Sequence, residues 1–206
     1  FFVRENDGTY IMYKFDKKKP SVIIENVRCY GKPVSGILPI CRKDSCIEII
    51  NVKGKRLFKL DKIEGQEVIS CAPYLVHGYL KVNSCDSQIL CDGIKNYSII
   101  DKTGKVILKP RYEDITILSK NLFFVTISKD GNTKHMFIDK KGNKNSDIKE
   151  MDYIESISEN YFAAVRDDRH YIFDMEGKEI LKCPSRVLKI KQIKGKRFLT
   201  TRSEER

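Results

Sequence analysis

The sequence predicts an all-β fold, a repeat of four-stranded antiparallel units, and three observations carry that prediction. A glycine-closed corner recurs along the chain. Short apolar runs with alternating pattern flank each corner. No window sustains the i, i+3, i+4, i+7 spacing of an amphipathic helix.

The clearest corner lies in Tyr97-Ser98-Ile99-Ile100-Asp101-Lys102-Thr103-Gly104-Lys105-Val106-Ile107-Leu108. Asp101 ends an apolar run, and its carboxylate is suited to accept hydrogen bonds from amides just ahead, as in an Asx-turn. Gly104 supplies a positive φ, which other residues adopt only at a cost. A second extended run follows. Pro110 breaks it, and Arg111-Tyr112-Glu113-Asp114 leads into Ile115-Thr116-Ile117-Leu118. Copies of the corner are Asn51-Val52-Lys53-Gly54-Lys55, Asp139-Lys140-Lys141-Gly142 and Asp174-Met175-Glu176-Gly177-Lys178. Asp16-Lys17-Lys18-Lys19 is a degenerate first copy, with Lys19 at the glycine place. The glycine places are 35, 50, 38 and 35 residues apart. A period of about 35 residues with one insertion marks a repeat architecture.

Taken in order, the chain opens on a strand at Phe1-Phe2-Val3, a turn carrying Asp7-Gly8, and a strand from Tyr10 to Phe15. Strands follow at Ser21 to Ile24 and, shorter, at Asn26 to Tyr30. The second repeat has strands at Ile37 to Cys41, Ile47 to Ile50 and Arg56 to Leu60. Residues 61–72 read as a loop or extra hairpin, and residues 85–93 as a second insertion. Leu122 to Ile127 and His135 to Ile138 are strands. Asn143-Lys144-Asn145-Ser146 makes a poor one, because Asn, Lys and Ser lack β propensity. Tyr161 to Val165, His170 to Phe173, Glu179 to Leu181 and Arg186 to Ile190 complete the fifth repeat. The expected organisation is a single domain of five units, approximately 1–35, 36–78, 79–121, 122–160 and 161–196, plus a terminal strand at 197–202. Such units suggest a β-propeller-like assembly; the alternative is an open array of stacked β-hairpin sheets.

These residues carry a family resemblance. Ile100-Asp101-Lys102-Thr103-Gly104-Lys105-Val106-Ile107, followed by Pro110-Arg111-Tyr112-Glu113-Asp114, is similar to the bacterial WG repeat, also called the KWG repeat. The resemblance is specific around residues 97–118 and extends over most of the chain as spacing. One departure is conspicuous: the chain has no tryptophan. Tyr97-Ser98, His135-Met136 and His170-Tyr171 stand at the Trp-Gly place. The resemblance implies a β-repeat module that serves in binding, and it transfers no catalytic residue.

Composition sets the function classes. Among 206 residues, 39 Lys+Arg stand against 28 Asp+Glu, a formal net charge of +11. Such a surplus permits binding to nucleic acid, acidic lipid or an acidic protein without specifying any of them. No apolar run approaches the roughly 20 residues of a membrane helix. Because residue 1 is Phe, an upstream segment is expected to precede it. The cysteines are Cys29, Cys41, Cys46, Cys71, Cys85, Cys91 and Cys183, with no Cys-x-x-Cys spacing. Reduced structural thiols in the cytoplasm are expected rather than a disulfide framework.

The candidate binding face consists of the corner lysines Lys17, Lys18, Lys53, Lys55, Lys102, Lys105, Lys140, Lys141 and Lys178, with Lys19 and Lys144 nearby. The corners belong to one end of each sheet, and the opposite turns carry Glu5, Asp7, Asp44, Asp86, Asp130, Asp167 and Asp168. Aromatic residues, which would mark a single-strand nucleic-acid track, are missing from the corners. His135 and His170 share a repeat position. An aromatic filling the tryptophan slot is the reading preferred to a metal pair. Tyr10, Tyr112, Tyr153 and Tyr161 are expected to pack between sheets. No phosphate loop, dinucleotide fingerprint or nucleophile elbow is present in the sequence. The expectation is a non-enzymatic module with no cofactor that binds a protein partner. The alternative is a polyanion-binding module using the lysine corners. An enzyme with its site in the insertions at residues 61–72 and 85–93 is a third possibility.

Overall fold

The computed structural model describes residues 1–16, 19–43, 47–72, 74–85, 96–129, 131–145, 148, 150–183, 187 and 189–201. Every regular element among them is a β-strand, and every sheet is an antiparallel meander. The chain divides into two compact units, Phe1–Ile115 and Thr116–Arg206.

The first unit holds two sheets. One runs β1 (Phe2–Arg4), β2 (Tyr10–Asp16), β3 (Lys19–Tyr30), β4 (Ile37–Arg42), β5 (Ile47–Asn51) and β6 (Arg56–Leu60), paired in that order. The two strands expected within residues 21–30 are one 12-residue strand, β3. It is bent rather than broken: Asn26 has φ 57° and the register slips on both sides of it. The second sheet runs β11 (Val106–Tyr112), β10 (Asn96–Asp101), β9 (Tyr79–Cys85), β8 (Gln66–Cys71) and β7 (Lys62–Ile63). The irregular stretch at 61–72 is therefore a hairpin. Its turn, Glu64-Gly65, has positive φ at both residues, the twist that suits a two-residue connection.

The second unit begins near the start of β12 (Asp114–Ile117). It holds the sheet β12, β13 (Phe123–Lys129), β14 (Asn132–Ile138). The sheet β15 (Tyr153–Ser156), β16 (Tyr161–Arg166), β17 (Arg169–Asp174), β18 (Glu179–Lys182) comes next, then the hairpin β19 (Lys189–Lys194), β20 (Arg197–Thr201). Residues 143–145 form no strand and contribute only a bridge between Ile138 and Lys144. Low β propensity there is not rescued by packing, since Asn143 and Lys144 are exposed.

A consistent offset separates sequence repeat from sheet. From the second repeat on, the last strand of a repeat leaves its own sheet and pairs with the strand that follows. β8 pairs with β9, and β15 pairs with β16. β12 likewise neighbours β13, and β19 pairs with β20. The sheets after the first thus take strands from the preceding repeat: β7 and β8 in the second sheet, β12 and β15 at the edges of the next two.

Burial explains the continuous apolar runs. In β5, Ile47 and Ile49 pack with Leu60, Leu80, Val82 and Ile100, while Ile50 on the other face packs with Met12, Val27 and Leu38. Strands covered on both faces lose the hydrophobic–polar alternation. Glu48, also buried, is held by Arg42 at 2.9 Å and Arg56 at 3.3 Å, as a buried carboxylate requires. In the second unit, aromatic rings fill the core. Phe162 stacks on Phe173 directly across the β16–β17 ladder, centroids 5.3 Å apart. Phe137 contacts Phe124 at 5.0 Å and Phe162 at 5.6 Å. Offset and tilted pairs at these distances are favourable.

Phe137 is fully buried at the centre of that cluster. Phe137→Ala is expected to cost about 3–5 kcal/mol, read as a fall in the urea midpoint. A loss below about 1 kcal/mol would show that the ring cluster does not organise this core.

Candidate functional site

Four corners share one hydrogen-bond plan. The Asn51 Oδ1 accepts the Lys53 and Lys55 amides at 2.9 and 3.0 Å. Asp101 Oδ1 accepts those of Thr103 and Lys105 at 2.8 and 3.1 Å, and the Thr103 hydroxyl at 2.6 Å. Asp139 Oδ1 accepts Lys141 and Asn143 at 2.7 and 2.9 Å, and Asp174 Oδ1 accepts Glu176 and Lys178 at 3.0 and 2.9 Å. In every corner the glycine amide donates to the carbonyl of the Asx residue, whose own amide donates across the turn. The glycine φ is 81° at Gly54, 88° at Gly104, 82° at Gly142 and 88° at Gly177.

Conformation is not the only demand on those glycines. A Cβ on Gly104 would meet the Phe58 ring at 3.1–3.3 Å, and one on Gly177 would meet Ile148 at 2.9 Å and Leu122 at 3.3 Å; Gly54 abuts Ile23. Phe58 follows the Asn51 corner by a few residues, and it packs on the Asp101 corner. In the first unit, successive corners are thereby held side by side. In the second, the Asp139 corner and Glu176 of the next corner border one polar cleft of about 420 Å³. Ser119, Asn121, Asn143 and Lys144 also line it.

The lysines divide by position. Lys53, Lys55, Lys102, Lys105, Lys140, Lys141 and Lys178 are all exposed. Among the described residues, none of them has a carboxylate within ion-pair distance. Strand and loop lysines do: Lys59–Asp61 at 3.0 Å, Lys62–Glu67 at 2.6 Å, Lys81–Asp114 at 2.7 Å and Lys109–Glu64 at 3.0 Å. The corner carboxylates accept the turn amides instead, and the Lys105 and Lys141 charges act on Asp101 and Asp139 without a direct ion pair. Lys144 differs from its neighbours in pairing with Glu150 at 3.0 Å. Lys17 and Lys18 lie outside the described residues, as do Asp44, Asp86 and Asp130 of the opposite turns. Of the remaining acidic positions there, Asp7 pairs with Lys43 at 3.1 Å, and Asp167 and Asp168 form a two-residue turn with φ 51° and 59°.

His135 is half-buried, stacked on Phe124 and 3.1 Å from the Thr126 hydroxyl. His170 is buried, with Nε2 3.9 Å from Glu155. Among the described residues no group of three His, Cys, Asp or Glu side chains is placed to hold a metal ion. Tyr112 is buried, with its hydroxyl accepting a hydrogen bond from Arg111 at 2.9 Å. Tyr153 departs from the expected packing: it is 47% exposed, because it opens β15 at the outer edge of its sheet.

A second series of corners escapes the sequence analysis. Ser35-Gly36 and His77-Gly78 have positive φ at both residues. Each closes a two-residue turn, Val34 to Ile37 and Val76 to Tyr79, with mutual backbone bonds of 2.8–3.1 Å. Ser119 and Ser158 do equivalent work, each accepting the amide two residues on at 3.3 Å. These corners join the last strand of one repeat to the first strand of the next. Their available signal was a Gly or Asn before an apolar pair: Gly36-Ile37-Leu38, Gly78-Tyr79-Leu80, Asn121-Leu122-Phe123 and Asn160-Tyr161-Phe162.

Two measurements check the corner. Gly104→Ala combines a positive φ with the Phe58 contact, whereas Gly65→Ala has positive φ and open space. Gly65→Ala is expected to lose about 1–2 kcal/mol from φ alone, and Gly104→Ala more, by urea unfolding. Acid should also act here. Asp7 is held at about 2, chiefly by the Thr9 hydroxyl and amide and then by Lys43. At Asp101, burial pushes upward, but the Thr103 hydroxyl, the Thr103 and Lys105 amides and the Lys105 charge outweigh it, so its carboxyl lies below the usual range. A carboxylate with a depressed folded pKa stabilises above the unfolded value and loses that contribution as pH falls through the folded one. Stability is therefore expected to decline from the ordinary 3.8 down towards about 2. Asp101→Asn should soften the decline while preserving neutral-pH stability, as Asn51 shows; urea midpoints at several pH values decide it.

Residues 97–131 match the family of the WG containing repeat. None of the curated proteins matches the chain. Among solved structures, a BamB from Moraxella catarrhalis aligns at 17% identity and a TM-score of 0.39, over 97% of this chain and 62% of that one. A protein of unknown function from Bacteroides caccae aligns at 11% identity and a TM-score of 0.37, over 82% of this chain and 68% of that one. The chain thus spans 62% of the length of the BamB it matches. The matched segment, residues 97–131, contains the Asp101 corner and is similar to the WG containing repeat.

Proposed function

We propose that the chain is a non-enzymatic β-repeat module that binds a protein partner through its glycine corners. The observation that carries this reading is the mixed chemistry at adjacent corners. Exposed corner lysines without direct ion pairs stand beside a polar cleft that also presents Asp139, Glu176, Asn121 and Asn143. Donors and acceptors of both signs suit a protein surface, where polar rims carry many hydrogen bonds. A uniformly anionic polymer would meet the carboxylates as well as the lysines. The corners are rigid, since side-chain and backbone hydrogen bonds fix each one, so little ordering cost opposes binding. The cytoplasm is the setting we assign, because the seven cysteines are odd in number and Cys85 and Cys183 are buried as small hydrophobes. No helix among the described residues is long and apolar enough to cross a membrane.

A second reading has its own support. Exposed corner lysines without a direct ion pair, four in the first unit and three in the second, supply the positive charge that polyanion binding uses, an attraction that weakens steeply with salt. The two readings separate in one experiment. A photo-crosslinker placed at Thr103 should capture a discrete protein in an extract of the source cells. Reversal of Lys102 and Lys105 to Glu should abolish that capture, and reversal of Lys59 and Lys62 should leave it intact. Retention on heparin at moderate salt, lost on the same corner reversal and without a protein adduct, would favour the polyanion. Indifference of both readouts to the corner charges would remove the corners as the site.

A further inference from the structure

Three cysteines converge on one cleft of the first unit. β3 and β4 pair so that Cys29 lies directly opposite Cys41. Directly opposed residues of an antiparallel pair share a face, with Cβ atoms about 4.5–5.5 Å apart. A disulfide needs Cβ atoms about 3.5–4.5 Å apart, so an approach of roughly 1 Å closes the bond. The register slips between Val27 and Cys29, beside this pair, and a bulge sharpens local twist.

Cys71, from β8, faces the same cleft, a space of about 260 Å³ walled by Tyr30, Pro39, Ile40, Ile47 and Ile69. Burial first, then the neighbouring Cys29 and Cys41 thiols, push the Cys71 thiol up to about 12. It remains protonated near neutrality, and a protonated thiol is a poor nucleophile. Cys29 is exposed and Cys41 half-buried, so an incoming reagent reaches Cys29 first. This exposure also departs from the expectation of apolar, structural cysteines, because Cys29 sits on the outer part of a strand whose flanking residues, Arg28 and Tyr30, are exposed too.

We propose that Cys29 and Cys41 are a redox modification site, forming a reversible cross-strand disulfide with a small-molecule disulfide of the glutathione class as oxidant. The Cys29 thiolate attacks one sulfur of the oxidant; its S–S bond breaks and one small thiolate leaves and takes up a proton. Cys41, deprotonated in turn, attacks the Cys29 sulfur of the mixed disulfide and expels the second small thiol. Two protein thiols lose two electrons and two protons, and the oxidant gains both to become two thiols. Cys71 takes no part. The bond ties β3 to β4 across the bulge, in the middle of the six-stranded sheet.

The test uses the purified chain with oxidised glutathione, quenched by alkylation and mapped by mass spectrometry. The intact mass is expected to fall by about 2 Da, the two hydrogens lost. Alkylation of Cys29 and Cys41 should disappear together, a peptide linking them should appear, and dithiothreitol should reverse both changes. Cys71→Ala should form the same link. Persistent alkylation of Cys29 and Cys41 would overturn the proposal. So would a stable glutathione adduct on Cys29 alone, or a link from either residue to Cys71 or Cys46.

Discussion

One carboxylate or carboxamide oxygen accepting two backbone amides is the interaction on which this chain's repeat depends. At the Asn51, Asp101, Asp139 and Asp174 corners it satisfies amides that a tight turn leaves without ladder partners. The positive φ of the following glycine completes the reversal. The two requirements fix a spacing of three residues between Asx and Gly. They leave the intervening side chains free to vary, and lysine fills half of those places.

The same corner links local turn to tertiary packing. Gly54, Gly104 and Gly177 are seats for side chains of other repeats, Ile23, Phe58 and Ile148. A turn that only reversed the chain would tolerate any residue able to adopt the conformation. These corners also need the absence of a Cβ, so the repeat is locked by contact as well as by conformation. The offset between repeat and sheet adds a second lock. Because β8, β12, β15 and β19 each sit in the sheet of the following repeat, no repeat completes its sheet alone, and the hydrogen-bond ladders themselves join neighbours.

Charge follows from this economy. The corner aspartates accept backbone amides and make no direct ion pair with the corner lysines, while lysines on strands find carboxylate partners. Isolated surface pairs contribute little to stability. Their interest lies in what they leave over: a set of exposed cations whose position is dictated by the turn rather than by the core. Binding by the corners is the reading that uses this residue pattern most fully. The thiol cleft is independent of it, on a different face of the chemistry and in strands rather than turns.

By itself the sequence determined the all-β class, the corner motif at Asn51, Asp101, Asp139 and Asp174, and most strands, because Asx-turns, positive-φ glycines and strand alternation are local effects written within a few residues. Residues 97–112 show this best, since strand, corner and strand all fall where their side chains put them. Tertiary structure alone decided the rest. It assigned each repeat's last strand to the next sheet, merged residues 19–30 into one bent strand, left Tyr153 in solvent and set Cys29 against Cys41. Those outcomes depend on register and on which faces are covered, and both are settled by partners far away in the chain.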